Sequence, residues 1–233
     1  MSINKDSTDF PVNFSGVVRL FPLPNVVLFP HVMQPLRIFE PRYCEMLEDA
    51  MRDDQLIAMT LLQPGWENQY DEQPEVSKTL CVGRVISHAR DDDGDHKILL
   101  LGVRRATIEH ELPSDEPYRK AKVSLIDDYY PATGSSARGK LHHELIDCFE
   151  QLLPECGQTL DQLGEFATGQ IPLGILSDII SFTIDMDLPI KQALLTERNV
   201  DVRVSMLLEC LRSRLENHDQ WDERPFPPKF SLN

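Results

Sequence analysis

The chain has 233 residues, of which 41% are hydrophobic and 26% charged, enough apolar material for a packed core beneath a charged surface. Its formal net charge is −15, spread over both halves, which argues against binding to nucleic-acid phosphates or to an anionic membrane surface. No run approaches the roughly 20 apolar residues of a membrane helix, and the polar start MSINKDSTDFPVNF has no hydrophobic leader core. The five cysteines, Cys44, Cys81, Cys148, Cys156 and Cys210, lack C-x-x-C spacing and read as reduced thiols of a cytoplasmic protein.

In chain order, residues 1–14 are polar and read as a disordered N-terminus. Aliphatic and β-branched runs bounded by turn residues then predict strands over Val17–Leu23, Val32–Ile38, Leu56–Leu62, Thr79–Ala89, Lys97–His110 and Tyr118–Asp127. Within and between the first two, Pro22, Pro24, Pro30 and Pro35 limit how a strand can continue. A helix starts near Glu40–Pro41 and runs to Met51, with Tyr43, Met46, Leu47 and Ala50 on one face. Gln63–Lys78 is a polar loop, and the Asp-Gly element within Asp91–Asp95 marks a hairpin.

After Tyr130 the character changes. Pro131–Ser136 reads as a linker, and helices are predicted over Lys140–Leu153, Leu160–Thr168, Pro172–Thr183, Pro189–Thr196 and Val200–Glu216. In the last, Val200, Val204, Leu207, Leu208, Leu211 and Leu215 form one apolar stripe. The tail WDERPFPPKFSLN reads as extended. The resulting division is a disordered N-terminus (1–14), a β-rich unit (15–131), a helical unit (132–218) and a tail (219–233).

Several short motifs resemble a known family. Leu20-Phe21-Pro22-Leu23, Val26-Val27-Leu28-Phe29-Pro30, Ile38-Phe39-Glu40-Pro41-Arg42-Tyr43, Val82-Gly83-Arg84-Val85-Ile86 and the late run Leu188–Thr196 with Asn199–Arg203 resemble, in order and spacing, the N-terminal substrate-binding domain of Lon proteases. One small departure is Thr196 before Glu197 at the end of the late run. The resemblance spans about residues 17–216. It implies an α+β fold, with an N-terminal PUA-like β pseudo-barrel carrying one helix and a C-terminal helical bundle. It also implies a stand-alone, non-catalytic module that binds unfolded or specific protein substrates, or a protease or chaperone partner, without cofactor. In the motif, Pro24, Phe29, Pro30, Phe39, Glu40, Pro41, Arg42 and Tyr43 take structural roles.

Catalytic signals are weak. Gly134–Leu141 reads G-x-x-x-x-G-K but places Leu141 where a Mg²⁺-binding hydroxyl belongs, and it follows a polar Asp127–Pro131 segment. His142-His143 lacks the spacing that puts two imidazoles on one helix face. Asp91–Asp95 lacks the distal Glu of a calcium loop, and Asp127 and Asp128 would face opposite ways on a strand. No metal site is expected. Arg104, Arg105, Arg119, Lys120 and Lys122 form a local basic patch, the best argument for the alternative of an RNA-binding PUA-like protein. Pairing with the abundant carboxylates is the simpler reading. A third alternative is an accessory part of an ATP-dependent protease system.

Candidates for peptide binding are Phe29, His31 and Met33 at the proline-bounded loop, and Trp66 and Tyr70 in the long loop. Met adapts to irregular ligands and aromatics anchor them. Plain core packing is the competing reading for Phe29 and Met33.

Overall fold

The computed structural model describes residues 10, 14–68, 73–92, 94–152 and 171–216. They form a mixed α+β structure of six strands and five α-helices: β1 (Val17–Leu23), β2 (Met33–Ile38), α1 (Pro41–Arg52), β3 (Leu56–Leu61), β4 (Thr79–Arg90), β5 (His96–Leu112), β6 (Lys120–Ile126), α2 (Arg138–Leu152), α3 (Leu173–Thr183), α4 (Leu188–Thr196) and α5 (Val200–Glu216). The expected helix over Leu160–Thr168 and the tail lie outside the described residues.

The sheet order is β2-β5-β4-β3-β1-β6, and β6 also pairs with β5, so five strands close on themselves. Closure depends on the length of β5. Its first half pairs β2 from His96 to Leu101, and its second half pairs β6 from Arg105 to Leu112. Register shifts near Val82–Gly83, Val85–Ser87 and Ile108–His110 bend the long strands as closure requires. All partners are antiparallel except β1 with β3, which run parallel because β2 and α1 intervene between them.

Successive strand residues alternate faces, and the two faces have separate cores. Val18, Leu20, Leu56, Ala58, Leu80, Val82, Ala106, Ala121 and Val123, from all five strands of the ring, form the smaller core, with Phe10 and Phe14 against it. The alternate residues, including Phe21, Ile57, Met59 and Cys81, belong to a larger core. That core continues through Tyr43, Met46 and Leu47 of α1 to Leu145, Leu176, Leu194, Leu207 and Leu211 of the later helices. One apolar core therefore joins the sheet to the helices on both sides of the 131–136 segment.

Local chemistry fixes the elements. Pro41 occupies the first turn of α1, and Tyr43, Met46, Leu47 and Ala50 are buried together. Gly94, at φ +89°, turns the β4–β5 hairpin, where its N–H donates to the Asp91 carbonyl at 3.0 Å. The Asn199 side chain accepts from the Asp201 N–H at 3.1 Å, supporting the start of α5. Val200, Val204, Leu207, Leu208 and Leu211 are buried as the stripe predicts, joined by Arg203.

Candidate functional site

The predicted loop and β2 lie across the middle of β5. The His31 N–H donates to the Gly102 carbonyl, and the Gly102 N–H donates to Val32, both at 2.8 Å. The backbones meet so closely that a Cβ at Gly102 would overlap the Phe29 carbonyl oxygen. Phe29 is 0% exposed and supports this crossing from within the core. It therefore presents no surface to a ligand, because its ring packs with the larger core. His31 sits at φ +66°, and the residue as a whole is exposed. Its imidazole is held below the ordinary value, chiefly by the protein mass behind it, with the Asp178 carboxylate opposing and Arg105 adding to the shift.

Met33 is 44% exposed and Phe39 42% exposed. Met33 opens β2 and Phe39 follows its last residue. Phe39 is the last residue but one before α1 begins at Pro41. Glu40 precedes α1 and accepts from Arg42 Nε at 3.0 Å, and the Arg42 guanidinium lies 4.6 Å from the Tyr43 ring centre. Pro30 is buried and Pro24 half-buried.

Trp66 lies elsewhere. It opens a single 3-10 turn, Trp66–Asn68, and is half-buried. Tyr70 lies outside the described residues. The neck of this loop is closed by the Leu62–Val76 bridge and by the Gln63 N–H donating to Glu75 at 2.9 Å. Beside the neck opens a cleft of about 470 Å³, lined among others by Pro22, Tyr43, Leu62, Pro74, Leu112 and Pro117. The structure does not bring the two predicted surfaces together: Gly102, beneath one, and Leu112, beside the other, stand at opposite ends of the second half of β5.

The polar motifs resolve into internal pairs. Arg105, 3% exposed, donates from Nη1 to Asp178 at 2.9 Å, from Nη2 to the same carboxylate, and from Nε to the Leu195 carbonyl at 3.0 Å. Arg203 donates to Asp128 at 2.7 and 3.0 Å and to Ser177 Oγ at 3.0 Å. Two arginines and two aspartates thus clasp β5, the end of β6, α3, α4 and α5 together. Arg119 pairs with Glu111, and Arg104 lies 3.4 Å from Asp127. Asp91 and Asp95 face Arg37, at 3.6 and 2.8 Å. The Gly134–Leu141 run forms a 3-10 turn leading into α2, where Arg138 donates to Asp201. His142 is buried, and His143 bonds the Gly139 carbonyl at 2.7 Å.

Sequence reasoning missed two features. One is the clasp, whose partners lie up to 90 residues apart. The other is a stacked imidazole pair: His88 Nε2 and His96 Nδ1 share a hydrogen bond of 2.8 Å, with ring planes 4° apart. Cross-strand register in the β4–β5 hairpin was the only available signal for it.

The family model of the ATP-dependent protease La (LON) substrate-binding domain matches residues 17–213. Lon protease 2 of Myxococcus xanthus and a Lon protease of Anaeromyxobacter dehalogenans are each 27% identical over 223 residues, 92% of this chain. The chain spans about a quarter of the length of these curated relatives. Among solved structures, the N-terminal domain of Mycobacterium avium complex Lon protease aligns at TM-score 0.64 and 11% identity, covering 84% of this chain and 98% of that one. A Lon N-terminal domain protein from Xanthomonas campestris aligns at 0.58 and 19%, covering 83% and 97%. These two likenesses concern the fold, while the family match extends over most of the sequence: the chain belongs to the LON substrate-binding domain family.

Proposed function

We propose that this chain is a non-catalytic recognition module that holds extended or unfolded segments of other proteins. The observation that carries the reading is the family match over residues 17–213. Exposed Met33, at the start of β2, and exposed Phe39, just past its end, support it, because a binder of unfolded chains needs accessible apolar side chains. β2 is also an edge strand among the described residues. Pro35 within it removes one backbone donor, so side-chain contacts rather than strand addition dominate there.

The ring of strands β1-β3-β4-β5-β6 fits a PUA-like pseudo-barrel, and the later helices fit a bundle packed on it. The change from strands to helices near residue 131 supports a division into two units there. Partners are substrate proteins, or a protease or chaperone that receives them, in the cytoplasm. No helix of the described residues is long and apolar enough to cross a membrane. The arginines of the basic patch are engaged with carboxylates, which weighs against the RNA-binding alternative.

Fluorescence anisotropy of a labelled, permanently unfolded protein, titrated with this chain in nucleotide-free buffer, tests the reading. Saturable binding at micromolar concentration supports it. Absence of binding, or binding only to an RNA oligonucleotide at low salt, overturns it.

A further inference from the structure

We propose that the small core of the strand ring is a docking site for a pair of phenylalanine rings, filled by Phe10 and Phe14, and that Phe226 and Phe230 of the same chain's C-terminal tail are its second occupant. This goes beyond the recognition reading, because both occupants belong to this chain.

Phe10 and Phe14 meet edge to face, with ring centres 4.6 Å apart and planes at 82°. Such a pair gains more than the area each ring buries. Both are half-buried and pack, with Ile108, against the small core. Ala58, Ala106 and Ala121 belong to that core, so the strands bring little bulk there and the two rings supply it. The chain is pinned to β6 directly after Phe14. The Ser15 carbonyl accepts from Lys122 Nζ, and the Gly16 carbonyl from the Val123 N–H, both at 2.8 Å. Gly16, at φ +77°, turns the chain at this point. A half-buried ring gives up less apolar contact on leaving than a core side chain does, so this pair is the exchangeable part of the packing.

The sequence carries the same element at its other end. Phe10-Pro11-Val12-Asn13-Phe14 and Phe226-Pro227-Pro228-Lys229-Phe230 both read F-P-x-x-F, and no other stretch of the chain does. Phe21 and Phe29 also precede prolines, but Asn25 and Met33 stand where the second ring belongs. In both copies the proline fixes its own φ and biases the preceding phenylalanine away from helical backbone. The tail thus offers the same two rings at the same spacing. Its length allows it to reach. α5 ends at Glu216. The stretch from there to Phe226, at roughly 3.3 Å per residue, spans up to about 33 Å, comparable with the diameter of a small domain. The two ends of the chain therefore compete for one site, and docking of the tail releases Phe10 and Phe14.

The test places the photo-cross-linker p-benzoylphenylalanine at position 230 of the full chain, irradiates it in dilute solution and maps the cross-links by mass spectrometry. It is run on the otherwise unchanged chain and on the same chain with Phe10→Ser and Phe14→Ser, circular dichroism verifying the fold. Phe10→Ala alone, which leaves Phe14 in place, serves if the double variant does not fold. Cross-links within single chains are expected on small-core residues such as Val18, Ala106 and Val123. Their yield is expected to rise about fivefold or more once the rival rings are removed, as competition for one site requires. An excess of a synthetic peptide of residues 221–233 is expected to suppress them, and the same peptide with Phe226→Ser and Phe230→Ser is not. Cross-links away from the small core, or a yield indifferent to Phe10 and Phe14, overturn the proposal. Cross-links only between two chains also overturn it, because the occupant is then a second copy.

Discussion

Arg203 of α5 places both terminal nitrogens on the Asp128 carboxylate, at 2.7 and 3.0 Å, across 75 residues of sequence. This paired, fork-to-fork contact orients the fifth helix on the end of β6. Its neighbours complete the arrangement: Asp178 of α3 receives Arg105 from β5 and lies 3.5 Å from Arg203 Nε. A Cβ at Gly174 would overlap Asp128, so the first turn of α3 also depends on the absence of a side chain there.

Breaking the clasp exposes its cost. Arg203→Met leaves Asp128 and Asp178 without one cation in a buried setting, and removing one partner of such a pair typically costs about 3–5 kcal/mol. Urea denaturation is expected to show a loss of this size. A loss under about 1 kcal/mol would mean the four groups are solvated well enough to do without each other.

The crossing at Gly102 gives a steric prediction. Gly102→Ala forces the Phe29–Val32 loop off β5, with a destabilisation above about 2 kcal/mol. Hydrogen exchange at the His31 N–H, which donates to Gly102, reports the same event. An unchanged exchange rate in the variant contradicts the proposed contact.

The His88–His96 pair makes stability fall in acid. Burial, then Arg90 and His88, hold the His96 imidazole below its ordinary value, with Glu48 and Asp95 opposing. Its stabilisation is therefore complete above the unfolded value of about 6.5 and is lost as pH falls through the lower folded value. Melting temperatures of wild type and His96→Phe, compared from pH 7.5 to 5, are expected to diverge in slope, with the variant flatter. Parallel slopes would remove the pair as the cause.

Lys191 gives a second window of the same sign at higher pH. Desolvation holds its amine down at about 8, although Nζ donates to the Phe182 carbonyl at 2.8 Å. Between about 8 and the unfolded 10.4 the unfolded chain carries the extra proton, so this group raises stability as pH climbs through that range. The difference in urea midpoint between wild type and Lys191→Met is expected to change in wild type's favour from pH 8 to 10. A constant difference contradicts the shift.

Most elements were legible because their signals are local. Pro41 and the Tyr43–Ala50 spacing mark α1, Asp91–Gly94 marks the hairpin, and the Val200–Leu211 stripe marks α5. What stayed hidden depends on which faces meet. Alternation in β1 shows two faces but not that β3 pairs parallel beside it, nor that β6 closes the ring. Gly102 reads as an ordinary strand glycine until Phe29 lies across it. For the candidate site, Met33 proved exposed and Phe29 buried, although both are apolar residues of one short segment. The cleft was invisible because its walls come from segments between Pro22 and Arg119 that only the ring brings together.

The central claim, recognition without catalysis, is tested most directly by sedimentation velocity of a labelled, permanently unfolded protein with this chain. Samples run with and without ATP and Mg²⁺, and the label is then examined on a denaturing gel. The expected result is co-sedimentation that saturates, is indifferent to nucleotide and leaves the labelled protein intact. A freely sedimenting label, or one cleaved in an ATP-dependent manner by a clean preparation, would contradict it.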